Sequence, residues 1–118
     1  MSLTADFKAF IVEQMQGFAS VTLQPMFGGA AVKHNGLTFA LLDDDTLYLK
    51  ADERNRPDFE AEGLPPFTYQ SKNGPMLIKG YHRAPPSCLD DPDEMTRWCR
   101  RSYEAAVHAA AHKRQTPP

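Results

Sequence analysis

Residues 30–51 read AAVKHNGLTFALLDDDTLYLKA, and this stretch decides the fold. Apolar runs lie on both sides of Asn35 and Gly36. This pair is typical of a type I′ hairpin turn, because both of its central residues need positive φ. Asp43–Asp45 predicts a second turn, so the region reads as a meander of about four short antiparallel strands. The predicted strands are Val21–Leu23, Ala30–Lys33, Leu37–Leu42 and Thr46–Ala51.

A helical pattern precedes this meander. Thr4 is suited to cap a first helix, and Gly17 is a natural stop signal after it. Apolar residues recur there at helical spacing, which predicts one face turned toward the core. That predicted face consists of Phe7, Phe10, Ile11, Met15 and Phe18.

The second half of the chain adds two helices and two strands. Residues 51–63 predict a short helix with Pro57 in its first turn and Gly63 just beyond its end. Strands are predicted over 67–70 and 76–82, with a turn at 71–74 between them. Asp91, Pro92 and Glu94 predict the start of a last helix. Its predicted inward residues are Met95, Trp98, Cys99, Ser102, Ala105, Ala106 and Ala109.

The predicted order is therefore helix, four strands, helix, two strands, helix. Consecutive hairpins make the sheet mainly antiparallel, and helices on one face give a two-layer α+β sandwich. The length of 118 residues fits one domain over 1–118, with 115–118 as a frayed tail.

Composition narrows the functional classes. The chain has 13 basic and 15 acidic residues, a formal charge of −2, whereas nucleic-acid-binding domains usually carry a positive excess. Two cysteines are too few for a disulfide scaffold and suit a reduced, cytoplasmic compartment. No apolar run approaches the roughly 18 residues of a membrane span, and the N-terminus shows no signal-peptide pattern.

An ordered set of short motifs resembles the N-terminal domain of TfoX, also called Sxy, the regulator of competence genes. The similarity covers roughly residues 20–111, and the set as a whole is specific although no single piece is. The matching residues are Met26-Phe27-Gly28-Gly29, Phe39-Ala40-Leu41, Leu47-Tyr48-Leu49-Lys50, Asp52, Phe59, Gly63, Pro66-Phe67-Thr68-Tyr69, Tyr81, Pro85, Leu89, Asp90, Pro92 and Trp98.

This resemblance implies a secretion-chaperone-like α+β fold and a regulatory, protein-binding role in the bacterial cytoplasm, without catalytic residues or a cofactor. The chain departs from the family pattern at Ala30-Ala31 and again over Ile78–Tyr81. If this sixth strand carries the partner surface, Lys79 and Tyr81 are its candidate residues. Open edge strands also predict a homodimer.

The paired glycines raise the question of a phosphate loop. Gly28 and Gly29 belong to no phosphate-binding motif, and strand residues follow them where an anion-binding loop would start a helix. We therefore interpret Met26, Phe27, Gly28 and Gly29 as a structural motif, either a β-bulge or a close backbone crossing.

Metal and thiol sites have weaker support. His108 and His112 share a helical face with Glu104, which we interpret as a solvated face; the alternative is a zinc or copper site on the two histidines. No metal is predicted, because a third ligand cannot be assigned. Cys99 is expected on the apolar stripe, and Cys88 is expected to be the more exposed thiol.

The alternative function is nucleic-acid binding through the basic last helix. Arg97, Arg100 and Arg101 are its candidate contacts, with strand tyrosines available for stacking. Lys113 and Arg114 instead suit the helix dipole. A small-molecule or metal-dependent enzyme is a third, less supported class.

Overall fold

The computed structural model describes residues 3–26 and 28–115, and the side chains of Lys79 and residues 113–115 also lie outside the description. Its elements, in chain order, are α1 (Ala5–Gln14), β1 (Thr22–Met26), β2 (Gly29–His34), β3 (Leu37–Asp43), β4 (Thr46–Lys50), α2 (Arg56–Ala61), β5 (Pro66–Ser71), β6 (Gly74–Arg83), α3 (Ser87–Asp90) and α4 (Pro92–Gln115).

Within the described residues, six strands form one sheet in the order β1-β2-β3-β4-β6-β5, and every neighbouring pair is antiparallel. The predicted α+β class is confirmed. The structure adds the four-residue helix α3, which the sequence pattern did not indicate. It also places β6 between β4 and β5, so β1 and β5 are the two edge strands.

The two predicted turns of the meander are present. Asn35 and Gly36 have φ values of 52° and 77°, as a type I′ turn requires, and Asp44 and Asp45 have φ values of 49° and 52°. The carboxylate of Asp45 accepts hydrogen bonds from the backbone N–H and the hydroxyl of Thr4, at 2.7 and 3.0 Å. The aspartate turn therefore anchors the start of α1.

The predicted helix caps are also confirmed. The Thr4 hydroxyl oxygen accepts a hydrogen bond from the backbone N–H of Phe7 at 3.1 Å, which caps α1. The carboxylate of Asp91 likewise accepts from the N–H of Asp93 at 2.9 Å at the start of α4. In α2, a proline occupies the first turn as predicted, and Gly63 follows the helix with φ of 69°.

Side chains from all four helices and from one face of the sheet form the main core. The fully buried members of this core include Ile11, Met15, Val32, Phe39, Leu49, Phe59, Cys88, Met95 and Cys99. None of the helices in residues 3–26 and 28–115 is both long and apolar enough to cross a membrane.

Two predicted core positions are wrong. Phe10 is 39% exposed, because its neighbour Ile11 faces the core and successive helical residues point about 100° apart. Ala109 is exposed as well. The helix α4 has 24 residues and is about 36 Å long, so its final turns extend past the layer that buries Ala105 and Ala106.

Candidate functional site: an apolar groove on the second face of the sheet

The face of the sheet opposite the helices carries a second apolar cluster. Its buried members are Ala31, Leu41 and Phe67, which are 3%, 7% and 8% exposed. Every residue of this cluster comes from a strand, and no helix of the described part of the chain contributes to it. The partly buried side chains packed around it are Met26, Tyr48, Ile78 and Tyr81.

A groove of about 530 Å³ runs over this cluster, and we call it the sheet groove. Met26 lies on edge strand β1 and Tyr69 on edge strand β5, so a groove touching both requires the sheet to curl. Its lining residues are Met26, Gly29, Ala30, Thr38, Leu41, Leu42, Asp43, Phe67, Tyr69, Met76, Ile78 and Tyr81.

Strand register explains why apolar side chains meet here. Ala31 pairs with Leu41, and Leu41 pairs with Tyr48, so these three side chains stand in one row across the sheet. The Tyr48 ring then packs against Phe67, with 4.6 Å between the ring centroids. Toward the mouth the surface opens, because Met76 is 52% exposed on the strand that carries Ile78.

Charged groups lie near the two ends of this apolar surface. Asp43 lines the groove, and its charge adds to the burial that raises the pKa of Tyr48. At the other end the Lys50 ammonium lies 5.0 Å from the centroid of the Tyr81 ring, a cation–π arrangement. Burial lowers the pKa of Lys50 and raises that of Tyr81.

The structure places one of the two predicted partner-surface residues in this groove. Tyr81 lines it and belongs to the apolar cluster. The side chain of Lys79 lies outside the described residues. Sequence reasoning missed Leu41, Phe67 and Met76 as surface-forming residues. The available signal was the uninterrupted apolar run 39–42, which indicates burial on both faces of β3.

Gly28 and Gly29 both lie at positions where the backbone geometry favours glycine. Gly28 has φ of +81° in the connection between β1 and β2, where Met26 pairs with Gly29. A Cβ atom on Gly29 would lie 2.1 Å from the carbonyl oxygen of Leu42, so the two backbones approach closely there. Phe27, the remaining motif residue, lies outside the described residues. The predicted close crossing is therefore found at Gly29.

An open groove of about 900 Å³ also borders the glycine pair, between α1 and β1. Its walls are mainly apolar, with Lys8 and Glu13 as the two charged side chains among the described lining residues. Opposite charges on neighbouring turns of one helix give this groove no excess of positive charge for a phosphate.

The candidate nucleic-acid contacts are largely paired with carboxylates. Arg97 forms a salt bridge with Glu94 at 2.9 Å, and Arg101 forms one with Asp58 at 2.6 Å. Arg100 is exposed on α4. Because two of the three guanidinium groups have carboxylates beside them, the local positive field of this helix is reduced.

The candidate metal pair lies at the exposed end of α4. The imidazole of His108 contacts the guanidinium of Arg54, and His112 is also exposed. Among the residues that the structure describes, no three His, Cys, Asp or Glu side chains gather as metal ligands would.

Both cysteines are free and buried. The expectation of an exposed Cys88 is wrong, because α3 folds this residue into the core with an exposure of 0%. Burial, reinforced by the charge of Glu94, raises the pKa of the Cys88 thiol to about 12. Burial likewise raises the pKa of Cys99.

We therefore expect neither thiol of the folded protein to react with Ellman's reagent near neutral pH. The thiolate is the reactive form, and burial raises the pKa of both thiols, that of Cys88 to about 12, so both stay protonated near neutral pH. Unfolding in guanidinium chloride should release two reactive thiols and serves as the control. Rapid labelling of the folded protein would contradict the buried positions of both side chains.

A comparison with known protein families identifies the family of this chain. The model of the TfoX N-terminal domain matches residues 13–106, a range that begins earlier and ends earlier than the resemblance over roughly 20–111. No curated protein matches the chain. The matched range includes every strand of the sheet, and so the chain belongs to the TfoX N-terminal domain family.

Proposed function

We propose that this domain is a regulatory, protein-binding module that acts through the sheet groove. The observation that carries the proposal is the groove itself, where apolar side chains from both edge strands meet without a covering helix in the described residues. Contiguous exposed apolar surface is typical of interaction sites in proteins.

The chemistry of the groove indicates the kind of partner. Most of its lining side chains are apolar, while Asp43 and Thr38 supply polar groups at its border. An amphipathic protein segment fits this arrangement, because its apolar side would displace water from Met76, Ile78 and Tyr81 while its polar side stays in solvent. Tyr69 and Tyr81 supply aromatic surface of the kind enriched in protein interfaces.

The proposal includes a non-catalytic role in the bacterial cytoplasm. The sulfur nucleophiles are buried, and burial holds their pKa values far above neutrality, which favours a structural role for Cys88 and Cys99. Two free thiols are also compatible with a reducing compartment. Self-association through an open sheet edge is a further part of the proposal.

A matched pair of exposed residues on β6 tests partner binding. Met76 lines the groove and is 52% exposed, whereas its neighbour Leu77 is 53% exposed and points to the opposite side of the strand. We expect Met76→Glu to reduce capture of a partner from bacterial extract about tenfold, because a carboxylate is costly in an apolar contact. Leu77→Glu should leave capture unchanged.

The readout is quantitative mass spectrometry of the proteins retained by tagged wild-type, Met76→Glu and Leu77→Glu baits. Both substituted positions are largely exposed, so equal urea midpoints should confirm that all three baits are folded. A set of captured proteins that does not differ between the Met76 and Leu77 variants would contradict a role for the groove.

A further inference from the structure

The two edges of the sheet differ in their capacity to pair with another strand. The edge strand β1 contains Pro25, which lacks the N–H that a new neighbour would need. The edge strand β5 carries proline only at its first residue, Pro66, and has no charged side chain in Pro66–Ser71. Natural edge strands are usually protected by charge, proline or cover, so β5 is an unprotected edge.

Hairpin geometry identifies which backbone groups of β5 face outward. A two-residue loop joins Ser71 to its pairing partner Gly74, and such a loop closes on a hydrogen-bonded pair. Pairs alternate along an antiparallel ladder, so Thr68 and Gln70 occupy the non-hydrogen-bonded positions. Their backbone N–H and C=O groups therefore point away from β6.

The exposure of β5 agrees with this assignment. Thr68, Tyr69 and Gln70 are all exposed, and they are the middle residues of the strand. Alternation along the strand separates their side chains: Tyr69 lines the sheet groove, whereas Thr68 and Gln70 point to the other side.

We propose that a second copy of this chain pairs with β5 in antiparallel orientation, on a two-fold axis through Tyr69. In this register Thr68 of each copy lies opposite Gln70 of the other, and the outward backbone groups of these two residues form four hydrogen bonds. The two Tyr69 rings face each other in a non-hydrogen-bonded pair, where cross-strand side chains are closest.

The symmetry of a two-fold dimer is compatible with pairing between β5 strands of two copies. A two-fold interface uses the same surface on both copies, and one strand paired antiparallel with its own copy satisfies that condition. The uncharged β5 avoids repulsion between identical strands. Because Tyr69 also lines the sheet groove, the dimer brings the grooves of the two copies together on one side of a continuous sheet.

This inference rests on the self-association part of the proposed function. Charged substitutions at the two exposed positions Thr68 and Gln70 test the proposed pairing of the two β5 strands. Thr68→Lys with Gln70→Lys places a lysine opposite a lysine at both symmetric pairs. Thr68→Lys with Gln70→Glu places a lysine opposite a glutamate in the same pairs. Sedimentation equilibrium of the wild type should show a dimer in the range of about 10–100 µM.

We expect the double-lysine variant to raise the dimer dissociation constant about tenfold and the lysine–glutamate variant to restore wild-type association or strengthen it. A strictly monomeric wild type overturns the inference. Equal association of the two double variants also overturns it, because the interface then lies elsewhere.

The result of the dimer experiment can be distinguished from the result of the partner-capture experiment. Thr68 and Gln70 point away from the groove, so the double-lysine variant should still capture a partner that Met76→Glu loses. Loss of the dimer with partner capture retained supports both proposals. A charge-dependent dimer together with equal capture by the Met76 and Leu77 variants supports the dimer alone.

Discussion

A Gly29→Ala substitution is expected to destabilise the domain by about 3 kcal/mol, as overpacking in a closely packed site does. The added Cβ would lie 2.1 Å from the Leu42 carbonyl oxygen and 3.2 Å from its carbonyl carbon. These are backbone atoms of β3, so no side chain can rotate away to relieve the contact. Either the β2–β3 pairing opens locally or the strands shift. The free energy of unfolding, measured by urea denaturation, checks this expectation.

Gly80 provides the matched control for this substitution. It lies in β6, and a Cβ added there meets nothing within 4 Å. Gly80→Ala should therefore leave stability unchanged or raise it by a few tenths of a kcal/mol, because alanine restricts the unfolded chain. Gly28→Ala should fall between the two, since positive φ costs an alanine about 1–2 kcal/mol. Equal effects at positions 29 and 80 would contradict the close backbone approach.

The second large effect is expected at Phe59, where alanine should cost about 3–5 kcal/mol. This side chain is 0% exposed. Its ring stacks on His82, with 5.2 Å between centroids, and meets Trp98 at 5.1 Å. It therefore joins the six-residue helix α2 to both β6 and α4. A helix this short depends on tertiary packing for its stability, so loss of the ring should also unfold α2 locally.

Phe10→Ala is the control for the Phe59 substitution. The same atoms are removed, but Phe10 is 39% exposed on α1. Its loss should cost about 1 kcal/mol or less, because much of the ring is already in water and no closed cavity forms. Thermal and urea unfolding of the two variants should differ clearly. Similar losses of stability would show that α1 buries Phe10 in solution.

The local elements of this fold were predictable because their signals are short-range. Asn35 and Gly36 specify their turn through the positive φ values that both residues tolerate. Thr4 and Asp91 define helix starts through side-chain hydrogen bonds to the next residues. The family resemblance also rested on local motifs, and the match over 13–106 confirmed it.

The wrong predictions concern residues whose burial is determined by packing between helices and strands. The helical spacing of α1 put Phe10 and Ile11 near one face, and only contact with the sheet selects Ile11 for the core. Cys88 lies before α4, where the sequence suggested exposure. The short helix α3 turns it inward, so that its side chain is 0% exposed and belongs to the main core.

The sheet groove could not be predicted from the sequence for a related reason. The alternation of side chains along a strand predicts which residues share a face, but it does not predict which strand lies beside it in the sheet. The strand β6 lies between β4 and β5, so the rings of Tyr48 and Phe67 meet across it and β5 is left at the edge. Both the sheet groove and the proposed dimer surface depend on this order.

By itself, the sequence determined the α+β class, the turns, the helix caps and the family, since each depends on residues close together in the chain. The tertiary structure decided the strand order, the curl of the sheet and the exposure of its second face. The physical reason is that these features come from contacts between residues far apart in sequence, such as Tyr48 and Phe67, whose ring centroids lie 4.6 Å apart. Such contacts follow from how the whole core packs.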